Sequence, residues 1–318
     1  MKRLIKIAAT GVVGLAIALV LAWNFVPHPV ARLLIQVNNT SAGLEAKTVS
    51  TPLGDIHYLE GGTGETVLLL HGIYARKEHW IEMARPFVED YHVVLLDLPG
   101  FGDNAKLPAE AYALETQMTH LTAVMDALDL GAVHIGANSM GAYVASLFAA
   151  EAPDRVTSLA FIGSPLGVPT SIQSDMDTAR AAGDLPLVVQ TEQDFLERNE
   201  WLSPQIPYVP GPILTLWMQA EVAAADHNLE IWDVVHHQSQ PPTVLELAPT
   251  LAVPALVLWC NPDRIFHISG AEPLVAALRD AELRTMDNCG HLPMLDQPRA
   301  TADIYLEFLQ SIGATEGS

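Results

Sequence analysis

Basic side chains are scarce: 16 Lys and Arg stand against 37 Asp and Glu in 318 residues, a formal charge of −21. Nucleic-acid binding is excluded on that ground, because neutralising phosphates takes clustered Lys and Arg. Docking on anionic lipid through a basic surface is disfavoured for the same reason. The acid excess fits a salt-adapted surface or a simply well-solvated one. Internal repeats and low-complexity tracts are absent. So is a phosphate cradle: the glycine-rich turn Leu98-Pro-Gly-Phe-Gly102-Asp, which follows the apolar run from His92 to Asp97, has neither the Gly-Lys-Ser/Thr ending nor the dinucleotide spacing. Cysteine is nearly missing. Only Cys260 and Cys289 occur, neither near the amino terminus, which excludes a lipoprotein anchor. The pair forms a disulfide if its two loops are neighbours in an oxidising compartment, or is two buried thiols; the second is favoured, since Cys is among the most buried residue types.

What the chain does have begins at its start. Met1-Lys-Arg-Leu-Ile-Lys6 is basic, and Ile7 to Val26 is apolar except for Asn24, long enough to cross a hydrocarbon core. With Arg32 the only nearby basic residue after the run, the positive-inside rule keeps residues 1–6 in the cytoplasm and sends the rest outside. An uncleaved anchor over 7–26 is preferred to a cleaved signal peptide, because the run exceeds an ordinary h-region and Val20-Leu-Ala22 is a poor cleavage site. The expected location is therefore the extracytoplasmic face of the inner membrane, or the exterior if the segment is cleaved.

The most informative stretch is Val133-His-Ile-Gly-Ala-Asn-Ser139-Met-Gly141-Ala-Tyr-Val-Ala. It reads as a buried strand, a tight turn on a serine and a buried helix, with small Ala137 and Gly141 two residues either side so that strand and helix approach closely. Serine is a weak nucleophile at neutral pH and needs a base, which in turn needs an acid to fix its tautomer. Two C-terminal strands end where those groups are wanted. Pro254 to Trp259 runs into Cys260-Asn-Pro-Asp263, and Leu283 to Met286 runs into Asp287-Asn-Cys-Gly-His291. The strand Thr66–Leu70 leads to His71-Gly72-Ile73-Tyr74, placed to supply a backbone N–H for a developing oxyanion beside that of Met140. His71 itself is assigned to structure.

On Leu70-His-Gly72, Asp97-Leu-Pro-Gly-Phe-Gly102, Asn138-Ser-Met-Gly141, Leu258-Trp-Cys-Asn-Pro-Asp263-Arg and Asn288-Cys-Gly-His-Leu-Pro-Met294, the sequence resembles the α/β-hydrolase family from about Lys47 to Ile312. Within it the chain looks most like bacterial esterases and lipases related to the membrane-anchored monoacylglycerol lipases. It departs at Ala137 and Cys260, where relatives usually have Gly, and at Asn104, where they often have Ser. The resemblance implies a mostly parallel eight-stranded α/β sheet with helices on both faces and a helical cap insertion. It implies Ser139 as nucleophile, His291 as base and Asp263 as orienting acid, with Ile73 and Met140 as the oxyanion amides.

The expected division is a tail at 1–6, an anchor at 7–26, a linker at 27–44, core at 45–164 and 251–313, a cap at 165–250 and a tail at 314–318. The cap stretch reads as helices and Pro-rich loops rich in Trp and Tyr, suited to covering an acyl pocket. Asp226-His227 and His236-His237 lack the convergent spacing of a metal site, and no metal or cofactor is expected. The expected activity is carboxylester hydrolysis of a small-molecule ester or lipid through an acyl-enzyme, with the membrane reached through the N-terminal helix. Two alternatives stand beside it. One is carbon–carbon bond hydrolysis of ring-cleavage diketones, which uses a similar motif set; the other is a non-catalytic ligand-binding module.

Overall fold

The computed structural model describes Gly14, residues 20–205 and residues 207–316. Most of the run expected to be an anchor lies outside the described residues. Among those described, no helix is long and apolar enough to cross a membrane. Residues 27–44, expected to be a linker, are largely an ordered helix, α1 (Pro27–Ser41), with Pro27 in its first turn, where a missing N–H costs nothing. Side-chain bonds fix α1 to the globular part. Arg85 donates to Asn38 Oδ1 (2.7 Å) and Ser41 Oγ (3.1 Å), and Asn38 donates to Glu82 (3.1 Å). Ala31, on α1 itself, is fully buried.

Eight strands follow: β1 (Glu45–Thr51), β2 (Gly54–Gly61), β3 (Thr66–Leu70), β4 (His92–Leu96), β5 (Val133–Ser139), β6 (Val156–Pro165), β7 (Ala255–Asn261) and β8 (Ala281–Asp287). They form one sheet in the order β1-β2-β4-β3-β5-β6-β7-β8. The β1–β2 hairpin and the β2–β4 pair are antiparallel, and every later pairing is parallel. The central strands are apolar on both faces, as a sheet covered on both sides demands. Alternation then sorts side chains between two cores: Leu68, Leu70, Ile135, Phe161 and Trp259 face one layer, and Val67, Leu69, Ile162, Leu258 and Cys260 the other.

Helices α2 (Leu114–Ala127) and α3 (Met140–Glu151) fill the first layer through Leu121, Val124, Val144 and Phe148. Between β6 and β7 no strand forms among the described residues; α4 (Asp175–Ala182), α5 (Glu192–Leu202), α6 (Gly211–Val222) and α7 (Ala225–Asp233) occupy that stretch. The sequence starts α4 and α5 with capping boxes, Ser174 with Asp177 and Thr191 with Asp194, and Gly183 ends α4 in a left-handed conformation. Each such cap is worth about 1 kcal/mol. Helix α8 (Ala271–Ala277) completes the first layer through Leu274. Helix α9 (Pro298–Glu316) closes the second through Tyr305, Phe308 and Leu309.

The register of β7 and β8 decides the cysteine question. Cys260 pairs with Met286, which places Cys289 beside it, and the two form a disulfide with Cα atoms 5.3 Å apart. This overturns the reading as two buried thiols: both residues are fully buried, but against each other.

Candidate active site

Strand β5 ends and α3 begins at a single residue, Ser139, with φ 53° and ψ −120°. A positive φ is strained for any residue with a Cβ and persists only where its surroundings enforce it. Here they do so by close packing. A Cβ on Gly141 would lie 2.4 Å from the His71 carbonyl oxygen, so only glycine lets the first turn of α3 reach the end of β3. His71 is structural, as expected from the sequence. It accepts the Leu98 N–H on Nε2 (3.0 Å) and faces Gly72 O with Nδ1 (2.7 Å), and burial pushes its pKa down to about 4, so the ring is neutral.

The loop after β3 turns through an Ala75 N–H to Gly72 O bond (3.2 Å), with Tyr74 at φ 57° and Ile73 between. Met140 is the first residue of α3, where backbone N–H groups have no intrahelical partner. The loop after β3 adjoins Ser139: a Cβ on Gly72 would lie 3.0 Å from the Ser139 Cβ.

Asp263 follows β7. Its Oδ1 accepts the N–H groups of Ile265 (2.8 Å) and Phe266 (3.2 Å), which fixes the carboxylate plane. Its Oδ2 lies 3.2 Å from His291 Nδ1. His291 follows β8, and its own N–H donates to the Leu202 carbonyl at the end of α5 (2.8 Å). Ser139 and His291 both line one cavity of about 930 Å³, without a hydrogen bond between them in this structure. Its walls are mainly apolar, from Leu34 of α1, Leu187, Phe195 of α5, Ile213 of α6 and Leu295.

Sequence reasoning missed two residues at this site. Ser164, fully buried near the end of β6, donates to Asp263 Oδ2 (2.5 Å) and meets His291 Nδ1 at 2.8 Å, closer than the acid itself. Asn138 donates through Nδ2 to Ile162 O (2.9 Å) and His291 O (3.0 Å), tying the elbow to β6 and to the histidine loop. Asn138 falls in the Asn138-Ser-Met-Gly141 motif without a role read from it, and nothing in the sequence marks Ser164, since a lone Ser at a strand end is ordinary. Ser164→Ala is expected to lower kcat about tenfold or more, the worth of one hydrogen bond to a charged group. KM should change little and the acid limb of the pH profile should move; superimposable profiles would reduce Ser164 to packing.

Next to the histidine, Asp296 Oδ2 accepts the Gly290 N–H (2.6 Å). Burial pushes its carboxyl up to about 6, opposed by that bond and assisted by the nearby Asp263. The folded state thus holds the Asp296 proton more tightly than the unfolded chain does. Stability from this group is full below the ordinary carboxyl range and is lost as pH rises through about 6. Asp296→Asn, which keeps the acceptor oxygen, should therefore melt higher than the parent at about pH 8 and equal to it near pH 4, as thermal scans would read. The histidines weighed for metal go elsewhere: His227 meets Tyr112 (3.2 Å), His236 stacks on Trp232, and His237 pairs with Asp233 (2.8 Å).

A mostly parallel sheet, an elbow serine at positive φ and acid and histidine after the last two strands define an α/β hydrolase. The chain belongs to the α/β hydrolase fold family, whose sequence signature matches residues 65–298. It is similar to lipase 1 of Psychrobacter immobilis, 29% identical over 86% of this chain and 87% of that protein. It is also similar to monoacylglycerol lipase ABHD6 of Bos taurus, 24% identical over 81% of this chain and 79% of that one. Among solved structures, a membrane phospholipase A described as a bacterial virulence factor superposes with a TM-score of 0.87 at 34% identity, over 98% of this chain and 99% of that one.

Proposed function

We propose that this protein is a serine carboxylester hydrolase of the lipase and esterase type, acting through a Ser139–His291–Asp263 triad. The observation that carries the reading is Ser139 itself, a left-handed serine opening with His291 on a large apolar-walled cavity. Lipases and a phospholipase among the relatives support it. Ser139 Oγ attacks the ester carbonyl carbon while His291 Nε2 takes its proton. Asp263, with Ser164, holds Nδ1 and stabilises the imidazolium. The Ile73 and Met140 amides donate to the oxyanion. Collapse expels the alcohol, protonated by His291, and leaves Ser139 acylated; water, deprotonated by His291, then releases the acid.

The division into core (45–164 and 251–313), cap (165–250) and N-terminal anchor (7–26) belongs to the same proposal. Supporting the anchor, Val20, Leu21, Phe25 and Val26, in the described end of that run, are exposed, and Leu33 and Val37 are exposed apolar residues on α1. The hydrolase then works on the outer side of the membrane, near its substrates. The test is turnover by the full chain of p-nitrophenyl octanoate and a monoacylglycerol, with a ring-cleavage dienoic diketone left intact. Turnover of the diketone alone would overturn the ester assignment.

A further inference from the structure

Buried polar atoms without partners are rare in folded proteins and call for a ligand or water. Among the described residues thirteen such atoms occur, and six of them belong to residues that line the Ser139 cavity. Two of the six are acceptor oxygens, Glu78 Oε2 and Asn138 Oδ1; the other four, His79 Nδ1, Arg198 Nε, Ser203 Oγ and Trp217 Nε1, lie on groups that can donate. The indole N–H and the guanidinium Nε–H can only donate, so what they lack is an acceptor. Burial pushes the His79 pKa down to about 3, so that ring adds no charge at neutral pH.

The charge comes from Arg76, which also lines the cavity. Its guanidinium lies 5.0 Å over the Trp217 ring, and His79 meets the same indole edge-on at 6.0 Å, so the three form one patch. The neighbouring cations are already matched. Lys77 is held by Glu78 (3.0 Å), Asp97 (2.7 Å) and Asp103 (2.6 Å), and Arg198 is paired with Glu221. Arg76 makes no ion pair and no side-chain hydrogen bond among the described residues. Glu78, Glu82 and Glu221 on the same lining are matched to Lys77, Arg85 and Arg198, so Arg76 is a cation of this cavity whose charge no carboxylate among them takes up.

Resting on the ester-hydrolase reading, we infer that Arg76, His79 and Trp217 form a headgroup subsite for the phosphodiester of a glycerophospholipid. The anion must be carried by the molecule that carries the ester, beside a chain that fills the aliphatic walls, and a phosphodiester is the anion that a glycerol ester bears. Its oxygens match the planar fork of Arg76 and the waiting N–H groups.

The test measures binding apart from turnover. The full chain carrying Ser139→Ala, in neutral detergent, is titrated calorimetrically with dihexanoyl phosphatidylglycerol, with dihexanoylglycerol and with inorganic phosphate. The phospholipid should bind at least about tenfold tighter than the neutral glyceride, the worth of one charge-assisted contact. Arg76→Gln should bring the two to near parity, and Arg76→Lys, which keeps the charge without the fork, should fall between them. Equal affinities in the parent, or a preference untouched by Arg76→Gln, overturn the subsite. Inorganic phosphate binding as tightly as the lipid, and depending on Arg76, overturns the lipid assignment in favour of a free-anion site. Turnover of p-nitrophenyl butyrate by the wild-type chain is followed in parallel. Its absence with the binding preference intact sinks the hydrolase reading alone, whereas turnover with no preference sinks the subsite alone.

Discussion

Ser139→Ala is expected to lower ester turnover by about 10⁴- to 10⁶-fold, as loss of the nucleophile does in an enzyme whose triad acts as a unit. The fold should survive. Ser139 Oγ makes no hydrogen bond in the structure, the residue is only 7% exposed, and alanine has the same Cβ that makes φ 53° costly, so neither packing nor strain changes much. The melting temperature should stay within a few degrees of the parent while kcat/KM for p-nitrophenyl octanoate collapses. Labelling by a fluorophosphonate, which reports the reactive hydroxyl rather than the reaction, should vanish with it. Retained turnover in a correctly folded variant would refute the assignment of Ser139.

The second large effect is on stability. The Cys260–Cys289 bridge closes a loop with a sequence separation of 29. Constraining the unfolded chain by a loop of that length is worth about 3–4 kcal/mol in the chain-entropy account. The double variant Cys260→Ala/Cys289→Ala should accordingly melt roughly 6–16 °C lower, at about 2–4 °C per kcal/mol for a domain of this size. Reductant added to the parent should give the same shift. The bridged loops carry Asp263 and His291, so activity should also fade at a lower temperature than in the untreated protein. Two titratable thiols in the native, untreated chain, with no response to reductant, would remove the basis of this expectation.

The fold was legible because its rules are local. Continuous apolar runs such as Val67–Leu70 and Leu256–Leu258, bounded by turns, suit strands covered on both faces, and small residues at 137 and 141 are what a strand-to-helix serine turn requires. The groups assembled around His291 were harder to read. Asp263 and His291 could be named because each follows a strand run. Ser164 could not, because its role arises from β6 lying between β5 and β7, a fact of sheet order that no residue in β6 announces. The cysteines failed for the same reason: a separation of 29 says nothing about distance until the β7–β8 register sets Cys260 opposite Met286. Arg76 and Trp217 lie 141 positions apart and meet only when α6 folds over the loop after β3. Helix α1 was masked by its own composition, because its apolar positions continue the apolar run before it.

That helix has a bearing on where the proposed anchor would end. Leu34, Ile35 and Val37 are part of the cavity wall, so the border between the proposed anchor and the hydrolase would fall near Pro27 and not at the start of the sheet. A protease cutting ahead of Pro27 would shed an intact enzyme into the surrounding fluid. One cutting between α1 and β1 would liberate a body of nearly the same size with a breach in its substrate chamber, so the position of a single scissile bond separates mobilisation from inactivation.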